Sequence, residues 1–183
     1  MGGTRWHWVP NALTIGRLAA LPLIGWMLVR ADGPTAPAAA WVFALVALTD
    51  WFDGRLARAL GAESDFGRVA DPLADRLLVA VALIGLIGLG RYGWPGPTVI
   101  LARDVLVIAA VVLLRGRVRV QVDRLGKVSS AAVMVAVGLS LLNSAKWIDV
   151  LFWIAVGLSV ASVLRYVATF SPSGSETKHS PEG

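Results

Sequence analysis

Six long apolar runs alternate with short breaks marked by Gly, Pro or charged residues. The runs cover residues 11–29, 38–60, 67–89, 98–114, 128–142 and 147–170. Apolar stretches of this length predict helices that cross a membrane, so the expected fold is all-α and polytopic, with six transmembrane helices. The breaks carry turn chemistry. Asp32, Gly33, Pro34 and Pro37 fall in the first, residues 61–66 interrupt the pattern in the second, and Trp94, Pro95 and Pro97 lie in the third. Pro72 sits in the opening turns of the third run, where a missing N–H costs least. Residues 1–10, with Arg5, Trp6, His7 and Trp8, are too short and polar to span and read as an interfacial segment. Residues 171–183 are rich in Ser, Pro, Gly and Glu and are expected to be disordered.

Composition strengthens the membrane assignment. The chain has 183 residues, 56% of them hydrophobic and 16% charged, and a mean hydropathy of +0.68. Soluble domains are nearer a quarter charged, so the bulk of this chain belongs in lipid. There are no cysteines, which excludes disulfides, thiolate metal sites and a cysteine nucleophile. The net charge of +5 reflects basic loops and attraction to anionic headgroups rather than a nucleic-acid partner. Arg115, Arg117, Arg119, Arg124 and Lys127 crowd one connection with only Asp123 against them. With six spans, that connection shares a side with both termini and with Arg55, Arg58 and Arg68. The other side holds Arg30, Arg91 and Lys146. The excess of basic residues places the first side in the cytoplasm and the protein in the cytoplasmic membrane.

Polar residues inside the apolar runs are the candidate chemistry. Asp50 and Asp53 lie three apart and Asp71 and Asp75 four apart, so on helices each pair shares a face. Four carboxylates this close repel one another unless protonated or compensated by cations. All-oxygen donors suit hard divalent cations, and paired metals are a known device for handling phosphates. Arg17 lies about a turn inside the first run, where it either snorkels to the headgroups or faces the aspartates. Arg103 and Asp104 lie inside the fourth run. Adjacent helical residues do not share a face, so each is expected to find a partner on another span or a substrate.

The stretch 50–75 resembles the signature of the CDP-alcohol phosphatidyltransferase family, D-x2-D-G-x2-A-R-x8-G-x3-D-x3-D. All eight fixed residues are present over 26 positions. The resemblance implies that Asp50, Asp53, Asp71 and Asp75 hold two divalent cations, Mg²⁺ or Mn²⁺, on the pyrophosphate of CDP-diacylglycerol, with Asp75 also the base. It further implies that Gly54, Ala57, Arg58 and Gly67 receive the CDP-lipid. Gly54 and Ala57 equally fit close helix packing. A homodimer is part of the same expectation.

The implied reaction transfers a phosphatidyl group from CDP-diacylglycerol to an alcohol and releases CMP. No Ser/His or Cys/His pair offers a covalent route, which favours direct displacement. Within the family, the opening Asn11 to Arg17 followed by Pro22 resembles both phosphatidylglycerolphosphate and cardiolipin synthases. Leu48-Thr49-Asp50-Trp51-Phe52-Asp53-Gly54 and Gly126-Lys127 look like the phosphatidylglycerolphosphate synthases, whose acceptor is glycerol 3-phosphate. Ala102-Arg103-Asp104-Val105 looks closer to CDP-dependent cardiolipin synthases, which use phosphatidylglycerol. A phosphorylated acceptor needs cations, and Arg17, Arg103, Arg124 and Lys127 are the candidates. A cation channel or transporter is the alternative of another class, but it calls for acids at several depths rather than four at one end of two spans. An inactive scaffold is disfavoured by the intact signature.

Overall fold

The computed structural model describes the backbone of residues 8–60, 65–113 and 124–169, with side chains within 16–49, 73–109 and 125–165. Six helices make up the described residues: α1 (Trp8–Val29), α2 (Pro37–Leu60), α3 (Asp65–Gly88), α4 (Pro95–Leu113), α5 (Arg124–Leu142) and α6 (Lys146–Thr169). All six apolar runs are helical, and each helix begins one to four residues before its run and ends within one residue of the run's end. Arg124 to Lys127, expected in a connection, form the first turn of α5. Asp65 and Phe66, likewise expected in a break, open α3, where a carboxylate favours the positive helix end. Hydrophobic periodicity marks the buried part of a helix and is blind to such solvated end turns. The interfacial segment falls partly outside the described residues, although Trp8, Val9 and Pro10 already belong to α1. The tail 171–183 and the basic residues Arg115, Arg117 and Arg119 lie outside them.

α3 and α5 share the centre. α3 packs against α1, α4 and α5, and α5 also against α2 and α6, while α1 meets α2 and α4 meets α6. Ile24, Leu28, Phe43, Leu78, Leu83, Leu86, Ile100, Val137, Leu141 and Phe152 are buried where these helices meet. α1 and α3 run parallel, since Arg17 meets Asp75, Gly25 lies beside Val81 and Leu28 beside Gly85. A Cβ at Gly85 would collide with the Leu28 side chain, including its Cβ at 3.1 Å, so the absent side chain sets the α1–α3 distance. Gly96 does the same for α4 and α6, where a Cβ would lie 2.9 Å from Phe152 Cε1. Gly85→Leu is expected to destabilise the bundle by about 1–3 kcal/mol. Thermal unfolding of the protein in detergent checks this, and an unchanged midpoint would show that α1 and α3 can separate at no cost.

The end of α3 is closed by a Schellman cap. Gly90 is left-handed at φ 68°, Arg91 N–H donates to Leu86 O at 2.9 Å, and Gly90 N–H donates to Ile87 O at 2.9 Å. The cap turns Tyr92 inward, where its ring stacks on Phe152 with centroids 3.9 Å apart. Its hydroxyl lies 2.9 Å from Ser140 Oγ and donates to Asp149 Oδ1 at 3.1 Å. Burial pushes the Tyr92 hydroxyl above its usual range, so it remains a donor. Arg91 covers the ring and pairs with Asp149, tying this loop to α5 and α6.

Outside this core the surface is apolar. Trp26, Trp41, Trp94, Trp147, Val150, Ile154 and Leu164 are all exposed, a surface that lipid solvates and water does not. Among the described residues, Leu125–Leu142 and Lys146–Arg165 are long and apolar enough to cross a membrane. The apolar parts of α1 and α2, Gly16–Val29 and Pro37–Thr49, are shorter.

Candidate active site

The two aspartate pairs lie on consecutive helices, one pair on either side of residues 61–64. Asp50 and Asp53 lie in the later turns of α2, and Asp71 and Asp75 in the early turns of α3. At helical spacing each pair occupies one face, as expected. Gly54, Ala57 and Arg58 follow on α2, and Gly67 opens α3. The side chains of Asp50, Asp53, Asp71, Arg58 and Arg124, and the surroundings of Gly54, Ala57 and Gly67, lie outside the described residues.

Asp75 is described, and Arg17 meets it. Arg17 Nη1 donates to Asp75 Oδ1 at 3.0 Å, with the Arg17 side chain 4% exposed and that of Asp75 36% exposed. Of the two alternatives for Arg17, facing the aspartates is the one the structure adopts. The register explains it. Arg17 stands 12 residues before the end of α1 and Asp75 13 before the end of α3, about 18 and 20 Å along parallel helices. A charge at that depth avoids its desolvation cost by meeting the opposite charge beside it.

The next residue on α3 points elsewhere. Arg76 is rotated by about 100° from Asp75 and bonds Asp104 Oδ1 on α4. The same oxygen accepts from Arg103 Nη1 at 3.1 Å. That contact corrects the expectation that neighbours in sequence would not pair. The guanidinium is long enough to reach back to Asp104 when other groups hold it there. Those groups are on α5: Arg103 Nη1 also donates to Ser130 Oγ at 3.1 Å, and Nη2 donates to Gly126 O at 3.3 Å. Ser130 Oγ in turn donates to Gly126 O at 3.0 Å. Arg103 and Asp104 are 5% and 8% exposed, and Arg103 Nε is buried without a hydrogen-bond partner. Lys127, next to Gly126, is exposed.

α3 thus carries two opposite connections on consecutive residues, Asp75 to α1 and Arg76 to α4. Arg76 and Ser130 were not singled out from sequence. The available signal for Arg76 is a second arginine within the third apolar run, beside an aspartate that already carries a motif role. Among the described residues no group of three metal-ligating side chains occurs, and Asp75 is the one motif aspartate among them. The four signature aspartates, with no cysteine or histidine among the signature residues, are of the residue type that suits a hard divalent cation.

Comparison with known proteins adds an independent line. Residues 7–161 match the family model described as CDP-alcohol phosphatidyltransferase. The chain is 33% identical over 171 residues to the CDP-diacylglycerol–glycerol-3-phosphate 3-phosphatidyltransferase of Escherichia coli strain K12, covering 87% of this chain and 93% of that relative. The proteins of the same description from Shigella flexneri serotype 5b and Shigella sonnei match to the same extent.

Proposed function

This chain belongs to the CDP-alcohol phosphatidyltransferase family, and on that premise we propose that it transfers the phosphatidyl group of CDP-diacylglycerol to glycerol 3-phosphate. The products are phosphatidylglycerolphosphate and CMP. The observation that carries the acceptor choice is the similarity to relatives named for that reaction over most of both chains. The buried Arg103, fixed between α4 and α5, suits a phosphorylated acceptor of either kind and does not choose between them.

Asp50, Asp53, Asp71 and Asp75 would hold two divalent cations, Mg²⁺ or Mn²⁺, and these would supply positive charge to the pyrophosphate and the attacked phosphorus. Asp75 takes the proton from the acceptor hydroxyl as its oxygen bonds to the diacylglycerol-linked phosphorus. The bond from that phosphorus to the bridging oxygen breaks, and CMP leaves with the electron pair. Arg17 orients the Asp75 carboxylate through the 3.0 Å hydrogen bond. Gly54, Ala57, Arg58 and Gly67 receive the CDP-lipid. Arg103 takes the acceptor phosphate, with Arg124 and Lys127 at the start of α5 on its approach.

In this reading all six helices cross the cytoplasmic membrane. The aspartates face the cytoplasm, on the side where the basic connections gather. The exposed tryptophans Trp26, Trp41, Trp94 and Trp147 mark the opposite interface, each near the other end of its helix or in its loop. A homodimer rests on the family resemblance alone.

The test is incorporation of labelled glycerol 3-phosphate against labelled phosphatidylglycerol by the same purified preparation with CDP-diacylglycerol. Phosphatidylglycerolphosphate is the expected product. Exclusive formation of cardiolipin would move the chain to the runner-up acceptor. Excess EDTA is expected to abolish CMP release and added Mg²⁺ or Mn²⁺ to restore it, whereas full turnover in EDTA would remove the two-cation reading.

A further inference from the structure

We propose that Asp104 is a positioning residue for the aspartate site: it holds the Arg76 guanidinium on the α4 side of α3, away from its chain neighbour Asp75. The inference rests on the reading of Asp75 as a cation ligand. Its basis is an asymmetry in how α3 distributes its charges. Asp75 and Arg76 are consecutive, yet Asp75 meets Arg17 on α1 and Arg76 meets Asp104 on α4. Adjacency does not bar an arginine from an aspartate in this protein, because Arg103 and Asp104 are also consecutive and hydrogen-bond at 3.1 Å with α5 holding the guanidinium. An Arg76 released from α4 has the same covalent reach to Asp75. Its side chain is 22% exposed and so has room to turn.

Such a turn would harm the site. Arg17 already places one guanidinium on Asp75, and a second would draw on the remaining carboxylate charge and add a fixed positive charge opposing divalent ions a few ångströms away. Asp104 prevents it with one oxygen that accepts from both Arg76 and Arg103. Arg103 does not depend on that oxygen alone, being held by Ser130 Oγ and Gly126 O as well. Loss of the Asp104 charge therefore frees Arg76 first.

The experiment uses Mn²⁺ as probe and reads its binding to the purified 183-residue chain by electron paramagnetic resonance, without substrates. Asp104→Asn is expected to weaken Mn²⁺ binding roughly tenfold. Arg76→Gln breaks the same ion pair from the other side and is expected to leave Mn²⁺ binding at the parent level or tighter. The double substitution Asp104→Asn/Arg76→Gln is expected to recover parent-like binding, and Asp104→Glu to retain it. A pair that only packs α3 on α4 gives a different pattern, with both single variants and the double equally weakened. That pattern overturns the proposal, as does parent-like binding by Asp104→Asn. If Asp104→Asn alone does not fold, the Arg76→Gln and double variants still decide, because weakened binding in either contradicts a guanidinium held in check. A parent protein that binds no Mn²⁺ would bring down the cation-site reading itself and this proposal with it, an outcome distinct from the others.

Discussion

Asp75→Asn is expected to cut turnover about 10²- to 10⁴-fold while CDP-diacylglycerol binding stays within a few-fold of the parent. The amide is nearly isosteric and keeps one neutral oxygen toward Arg17 Nη1, so the α1–α3 contact loses its charge assistance but not its shape. A neutral oxygen also remains toward a cation. What disappears is the ability to accept the proton of the acceptor hydroxyl, which no amide does at neutral pH. The loss therefore falls on the chemical step. Single-turnover CMP release separates that step from binding, and equilibrium binding of CDP-diacylglycerol supplies the comparison. Equal losses in binding and turnover would make Asp75 a ligand and anchor but not the base. Parent-like turnover would move the base elsewhere, with Asp71 the next candidate.

Much of the architecture was legible because a helix in an apolar setting writes its length into sequence. The runs 11–29 and 38–60 reappear as Trp8–Val29 and Pro37–Leu60, and Pro10 is tolerated because it falls in the first turn. The aspartate signature was equally legible, since its spacing is a helical repeat on either side of a short break. Partners were not. That Arg17 meets Asp75 depends on α1 and α3 running parallel at a separation set by Gly85, a relation between helices that no local pattern encodes. The Arg103–Asp104 contact illustrates the same limit. Helix geometry points neighbours apart, and the hydrogen bonds from α5 bring this guanidinium back across its own helix. Six crossings remain a proposal for a related reason: polar residues that build the site, such as Asp71, Asp75 and Arg76, also lower the hydropathy of the helix that carries them.

Arg103→Met is expected to raise the glycerol 3-phosphate concentration needed for half-maximal rate by roughly 10- to 100-fold, with the CDP-diacylglycerol requirement within about twofold. The range follows from losing a charge-assisted hydrogen bond to the acceptor phosphate in a buried setting. Methionine keeps much of the side-chain volume, and Asp104 retains Arg76, so no carboxylate is left buried without a cation. Ser130 Oγ keeps its bond to Gly126 O. The helices are therefore expected to stay in register, which an unchanged thermal midpoint would verify. Arg103 is the strongest of the four acceptor candidates for a geometric reason. Arg17 is engaged with Asp75 and Arg103 with Asp104, Ser130 and Gly126, but Arg103 in addition holds Nε in the interior without a hydrogen-bond partner. An anion arriving there would satisfy a donor that the protein leaves unpaired. Arg103→Lys preserves charge but cannot reproduce the fork that bonds Asp104, Ser130 and Gly126 together, so an intermediate shift is expected. Lys127→Ala should shift the same requirement less, because Lys127 is exposed and its field is screened by water and salt. Equal rises in both substrate requirements for Arg103→Met would identify Arg103 as a strut between α4 and α5. The acceptor phosphate would then have to be met by Arg124 and Lys127 at the opening of α5.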